Sequence, residues 1–299
     1  MSIRALIDFS YLSHRAFHAM NGLQYNDLDT AIIYGFFEQL RTVCFDPRIQ
    51  TNDAHLFIDS RQSYRRRQFP AYKEKRRDSL TPEQIHQRER MHVQMDRLID
   101  DALPRIGFPL YMQTGLESDD LIAKVCQTEQ GKMVIVTADG DLYQCIRDGV
   151  AWFDPGRNLW LDWRGFLDKE GVTPDQWATV KALAGCQSDN VPGIPGVGKK
   201  SAIDFLRHKL TQGSRYDKID CGAAIFNRNI ELVRLPHYKT RPVPLRKPEY
   251  NVGAFISFCT RYGIQSYLEG SRRRQWEMFF AGDARARQTQ KPRRRGEHG

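Results

Sequence analysis

The chain has 299 residues, 40% of them hydrophobic and 11% aromatic, which is too apolar for a wholly disordered chain and suits one large domain or two smaller ones. No apolar run approaches the roughly 18 residues of a membrane helix, and the opening MSIRALIDFSYL has too short an apolar stretch for a signal peptide. A formal net charge of +9 points to a polyanionic partner, while six scattered cysteines without a CxxC pair exclude a zinc ribbon and argue for a reduced, cytoplasmic protein.

In chain order, residues 3–8 (IRALID) are a short apolar run ending in Asp, a candidate buried strand. Residues 54–59 (AHLFID) repeat the plan, and 133–137 (MVIVT) lead into Ala138-Asp139-Gly140-Asp141. Helical patterns lie between them at 29–44, at 82–103 after a Thr81-Pro82-Glu83 start, and at 117–127, where acids suit a helix N-terminus. Alternating strands and helices predict an α/β fold with a central, mainly parallel sheet and helices on both faces. Such sheets bind ligands at the carboxyl ends of their strands. Beyond residue 165 only helical signals appear, at 174–184, 199–208, 222–234 and 252–269, around a Gly/Pro-rich turn at 185–198. The expected domains are a core over 1–165 with a basic arch segment at 60–80, a helical region over 166–270, and a basic, partly disordered tail over 271–299.

Eight acids stand where a sheet edge would gather them: Asp8 and Asp59 at strand ends, Glu117, Asp119 and Asp120 opening a helix, Asp139 and Asp141 after the third strand, and Asp189 in the turn. Each alone reads as a cap or turn residue. Together they predict carboxylates that repel one another until a hard divalent cation, Mg²⁺ or Mn²⁺, binds them. Two such ions about 4 Å apart are the usual apparatus for phosphodiester hydrolysis. His14 and His18 have helical zinc-pair spacing, but no third nitrogen or sulfur ligand is nearby in sequence.

Residues 61–77 (RQSYRRRQFPAYKEKRR) set eight basic residues against one acid, with Tyr64, Phe69 and Tyr72 interleaved. A charge run is usually a solvated face; its place after Asp59 and its aromatics favour nucleic acid. In GCQSDNVPGIPGVGKKS (185–201), Gly193, Gly196 and Gly198 allow a turn whose N–H groups, with Lys199 and Lys200, suit a duplex backbone. The plain alternative is a helix–turn–helix corner stiffened by Pro192 and Pro195. The P-loop spacing is absent.

These motifs resemble the structure-specific 5′-nucleases: flap endonucleases, phage 5′→3′ exonucleases and the 5′-nuclease domain of bacterial DNA polymerase I. LIDFSYLSHRAFHAM (6–20), the segment 57–77, LESDD (116–120), TADGD (137–141) and SDNVPGIPGVGKKSA (188–202) carry the resemblance, in order, across about residues 4–210. It implies a PIN-like nuclease core with a helix–three-turn–helix domain, and metal ligation by Asp8, Asp59, Glu117, Asp119, Asp120, Asp139 and Asp141, with Asp189 contributing. It further implies that Arg65, Lys73 and Arg76 contact the scissile phosphate, that Arg15 is a basic position of the first motif, that Tyr11 and Tyr72 stack on or orient an unpaired strand, and that Lys199 and Lys200 hold the duplex. The implied activity is metal-dependent cleavage at DNA 5′ ends or branch junctions, with RNA–DNA hybrid as a further candidate substrate, by a monomer without a membrane partner. Two departures stand out. Phe9 follows Asp8 where many members have Gly, and is expected to pack under the sheet edge. Cys186 replaces the first Asp of the family's Gly-Asp-x-x-Asp-Asn, which removes a carboxylate from the second ion. The competing readings are a DNA-binding protein of the same fold with weakened catalysis, and a single-strand RNase on the same core, against which the glycine turn argues.

Overall fold

The computed structural model describes residues 2–74 and 80–282. At its centre is a six-stranded sheet in the order β5 (Leu110–Tyr111), β4 (Ala54–Phe57), β1 (Arg4–Asp8), β6 (Met133–Val136), β7 (Val150–Asp154), β8 (Leu159–Leu161). All neighbours pair in parallel except β8, which closes one edge antiparallel. Successive strand residues face opposite sides, so a sheet covered on both faces needs apolar residues at every position. Ala5 and Ile7 enter one core cluster and Leu6 the other; Val134 and Val136 oppose Met133 and Ile135 in the same way.

Chain connectivity reverses direction at β1, since β4 lies on one side and β6 on the other. That arrangement opens a crevice at the strand carboxyl ends, where the acids sit.

The sequence leaves residues 9–19 unassigned, yet they form helix α1 (Phe9–Ala19) without a connecting loop. Its buried Phe9, Leu12, Ala16 and Phe17 follow helical spacing, which the polar and aromatic residues between them obscured. Phe9 packs in the core with its ring 4.9 Å from Phe36 of α2 (Ala31–Cys44). At Gly35 a Cβ would lie 2.8 Å from that of Ala16, so glycine lets α1 and α2 meet. The hairpin β2 (Gln24–Tyr25) and β3 (Leu28–Asp29) joins those two helices.

Within the basic segment, α3 (Tyr64–Gln68) is a short helix capped by Ser63. The capping box of Thr81 and Gln84 starts α4 (Pro82–Arg97) where the sequence placed it. The helix does not stop at Pro104: a wider turn over Leu98–Ala102 carries it into α5 (Leu103–Ile106). Helix α6 (Ser118–Thr128) precedes β6. Strands β5, β7 and β8 had no place among the sequence expectations. β5 and β8 are only two and three residues long, too short for periodicity to speak.

After α7 (Trp163–Glu170), helix α8 (Trp177–Ala184) leads into a two-strand ribbon of β9 (Gly185–Cys186) and β10 (Val191–Pro192). Gly185 has φ +82, and a Cβ on it would stand 2.4 Å from Gly193 N; a Cβ on Gly193 would stand 2.3 Å from Ala184 C. Only glycine fits this crossing. Then come α9 (Lys199–Leu206), an unexpected α10 (Ser214–Asp220) and α11 (Ala223–Val233). Buried Asn229 ties α11 to α8 and to the ribbon by donating to Ala182 O and Pro192 O, each at 2.9 Å.

The last helices, α12 (Val252–Arg261) and α13 (Gly270–Phe280), return to the α/β core. Phe255, Phe258, Trp276 and Phe279 join the cluster holding Phe37 and Phe108. Helix α13 thus occupies the first part of the expected partly disordered tail, held by the packing of Phe255, Phe258 and Trp276 on Phe37 of α2. Residues 283–299, the rest of the expected tail, lie outside the described residues.

Candidate metal and phosphate site

Asp8 ends β1 and caps α1. Its carboxylate accepts from Tyr11 N at 3.1 Å and from Thr137 Oγ1 at 2.9 Å. Thr137 follows β6 and accepts in turn from Asp139 N at 3.1 Å, so one hydroxyl links the ends of two adjacent strands. Asp59, two residues past β4, accepts from Ser10 Oγ and Ser118 N, both at 2.8 Å. That contact fixes the start of α6 and with it Glu117 and Asp119. Asp139 accepts from Asp141 N at 2.8 Å. Asp8, Asp59, Glu117, Asp119 and Asp139 line one cavity of about 480 Å³ together with Tyr11, His14 and Lys73.

The cavity is electrostatically strained. Burial, followed by repulsion from Asp59, pushes the Asp8 carboxyl up to about 7 despite the hydrogen bonds from Tyr11 and Thr137. Burial and the charges of Asp139 and Asp8 raise Asp119 well above the usual carboxylate range, with Lys73 opposing. Five carboxylates, with burial and mutual repulsion raising Asp8 and Asp119, supply the oxygen donors that fit a hard divalent cation.

Lys73 brings an ammonium to the rim. Its Nζ donates to Glu117 Oε2 at 2.8 Å and its N–H to Asp189 O at 2.9 Å, with the backbone held at φ +54. Burial would lower its pKa, but Glu117, Tyr72 and Asp189 outweigh that and raise it well above the ordinary value. Lys73 is therefore charged.

Three expected roles need correction. Asp120, expected as a metal ligand, is fully buried and accepts from Arg65 Nη1 at 2.6 Å, Arg65 Nη2 at 2.7 Å and His237 N at 2.8 Å. One residue along a helix turns the side chain by about 100°, so Asp120 faces inward while Asp119 faces the cavity. Arg65, expected at the scissile phosphate, is spent on that pair and on Leu232 O at 2.8 Å. The bidentate bridge anchors α3 to α6 and to the end of α11. Tyr72, expected to stack on bases, has a buried ring, and its hydroxyl donates to Glu117 at 3.2 Å and Asp189 at 3.4 Å. Arg76 lies outside the described residues.

Tyr11 and Arg15 form a chain at the cavity edge: Arg15 donates to Tyr11 Oη at 3.1 Å, and Tyr11 donates to Asp154 at 2.5 Å. Sequence reasoning missed Asp154, although VAWFD (150–154) is a further apolar run ending in Asp. It also missed Thr137, Ser10 and Lys181, whose residue types carry no signal without their neighbours.

Asp141 and Asp189 join a neighbouring group with Cys186, their ligand atoms all within 4.8 Å of one another. Cys186 Sγ lies 3.1 Å from Ser188 Oγ and 3.8 Å from Lys181 Nζ, and Lys181 Nζ pairs with Asp141 Oδ1. Cys186 also packs in an apolar cluster with Ala178, Ala182 and Val191.

At the glycine turn, Gly198 caps α9 and Gly196 has φ +80. Lys200 is exposed. Lys199 pairs with Glu170 at 2.5 Å and lies over the Trp177 ring at 5.0 Å, so its charge is partly engaged.

The family described as "5'-3' exonuclease, N-terminal resolvase-like domain" matches residues 4–173. DNA polymerase I of Mycobacterium bovis is 32% identical over 225 residues, covering 72% of this chain and 24% of the polymerase. The chain thus spans about a quarter of the length of that relative. Among solved structures, the T5 5′-exonuclease with zinc ions bound is similar with a TM-score of 0.66 and 20% identity, over 80% of this chain and 91% of that one. The catalytic core of Rad2 in complex with DNA substrate is similar with a TM-score of 0.55 and 15% identity, over 94% and 92%.

Proposed function

The chain belongs to the 5′-3′ exonuclease family through its N-terminal resolvase-like domain, and from that premise we propose that it is a divalent-metal-dependent 5′→3′ exonuclease and structure-specific flap endonuclease acting on DNA. The observation that carries this reading is the convergence of Asp8, Asp59, Glu117, Asp119 and Asp139 on one cavity at the sheet's carboxyl edge. Mg²⁺ or Mn²⁺ is the cation this donor chemistry favours.

Asp8, Asp119 and Asp139 would hold the ion, and Asp59 and Glu117 would complete its surroundings. Held there, a divalent ion would supply water activation and offset negative charge on the phosphate. Lys73 holds a fixed positive charge on the rim, 2.8 Å from Glu117, where an entering phosphate would meet it. The Arg65–Asp120 bridge positions the segment that carries Lys73. Tyr11, on α1 and held by Asp154, lines the cavity wall. Lys200 and the start of α9 lie on the element suited to a duplex backbone, consistent with reading structure rather than sequence.

A 5′-labelled flap duplex incubated with and without Mg²⁺ tests the proposal. Cleavage that requires Mg²⁺ and falls by orders of magnitude in Asp139→Ala, with DNA binding nearly unchanged, is the expected result. Absence of Mg²⁺-dependent cleavage in the native protein would refute it. A second reading, a DNA-binding protein with weak catalysis, is favoured by Cys186, a sulfur donor in the group with Asp141 and Asp189; it requires tight flap binding with little turnover in the same assay. An RNA–DNA hybrid flap in parallel tests the wider substrate range.

A further inference from the structure

Beside the acidic cavity stands a group that a second hard divalent ion fits poorly. Asp141, Cys186 and Asp189 place their ligand atoms within 4.8 Å of one another, close enough to share one ion. One of the three donors is sulfur, a soft ligand that Mg²⁺ binds badly. The group also already holds a cation. The ammonium of Lys181 pairs with Asp141 and lies 3.8 Å from Cys186 Sγ. Lys181 sits in the last turn of α8, where unpaired helix carbonyls favour positive charge. Its side chain is only 18% exposed, so solvent screens that charge weakly.

We propose that the Lys181 ammonium replaces a second divalent cation in this site, leaving one ion at the cavity of Asp8, Asp119 and Asp139. Cys186 and Lys181 then act as a linked pair. A third carboxylate at position 186 would draw a divalent ion in only once Lys181 is removed, whereas the two carboxylates present are already partly offset by that lysine. A divalent ion entering the group would also stand directly beside the ammonium and be repelled by it. Cys186→Asp alone is therefore not sufficient to build a second ion position, because the new carboxylate meets Lys181 first.

This inference rests on the metal-dependent nuclease reading, and its main readout is independent of cleavage. Mn²⁺ is titrated into the full chain without DNA, and free Mn²⁺ is counted by electron paramagnetic resonance. The native protein and Cys186→Asp are expected to bind one ion tightly. The double variant Lys181→Ala/Cys186→Asp is expected to bind two, the second at least tenfold tighter than any second ion in the native protein. Lys181→Gln/Cys186→Asp, which keeps the side-chain stem, serves if the alanine version melts abnormally. Two ions of similar affinity in the native protein would overturn the proposal, as would a single ion in a normally melting double variant. Where the native protein cleaves the flap at saturating Mg²⁺, Lys181→Ala should be at least tenfold slower and the double variant should recover; a Lys181→Ala variant that cleaves as fast as the native protein would also overturn the proposal. If no variant cleaves while the ion counts follow the expected pattern, the nuclease reading fails and the replacement of the ion stands.

Discussion

Replacing Asp8 by Asn should make the cation-free protein more stable at pH 8 while abolishing its stabilisation by Mg²⁺. The Asp8 carboxyl is pushed from 3.8 up to about 7, first by burial and then by Asp59. Its folded value exceeds its unfolded one, so the folded state holds the extra proton. Stability from this group is therefore present at low pH and is lost as pH rises from about 4 to 7. Fully charged, it costs about 4 kcal/mol, at roughly 1.4 kcal/mol for each tenfold step. Asn removes that cost but gives up one acceptor for Tyr11 N or Thr137 Oγ1, worth about 1–2 kcal/mol. The net expectation is a gain of about 2–3 kcal/mol at pH 8 and a loss of about 1–2 kcal/mol near pH 4, where native Asp8 is neutral. Urea unfolding in EDTA at both pH values measures the difference, and repetition in Mg²⁺ should raise the native protein alone. A gap of the same sign and size at both pH values would refute the reasoning, since it would show that Asp8 carries no burdened charge.

Mg²⁺ or Mn²⁺ affinity should rise as pH is raised from about 4 through about 7, because the ion competes with protons on Asp8 and Asp119; calorimetric titration across that range checks this, and a flat profile would contradict it. Arg65→Ala should destabilise the protein by about 3–5 kcal/mol by stranding Asp120 inside, whereas Lys73→Ala should slow cleavage more than tenfold with a much smaller change in denaturation midpoint. Lys200→Ala should weaken binding to all duplex sequences alike and reduce the salt slope by about one, with Lys199→Ala doing less because Glu170 and Trp177 already engage that side chain. A sequence-dependent loss would contradict backbone recognition.

The amino-acid sequence by itself determined the parallel core and most of the acid set. Apolar runs ending in Asp at 3–8 and 54–59, and MVIVT leading to Asp139, are local patterns. A buried parallel strand must be apolar throughout, and its carboxyl end must face the crevice. The start of α4 was equally legible, because a capping box is complete within four residues. Phe9, singled out as a departure from the family motif and expected to pack under the sheet edge, is buried against Phe36 of α2.

What the tertiary structure decided is how each charge is used. Asp119 and Asp120 are neighbours in sequence, yet one faces the cavity and the other is locked to Arg65, because a helix turns adjacent side chains apart and Arg65 arrives from 55 residues away. Tyr72 read as an aromatic able to stack on an unpaired strand, but its ring is buried with Ala178, Ala182 and Val191 and its hydroxyl faces Glu117 and Asp189. Lys181 was one lysine on a helix until the β9–β10 ribbon folded Cys186 and Asp189 back beside Asp141. Periodicity registers a residue's own surroundings along the chain. It contains no term for partners brought together through space, and here those partners determine which charges face the shared cavity and which are neutralised by the protein itself.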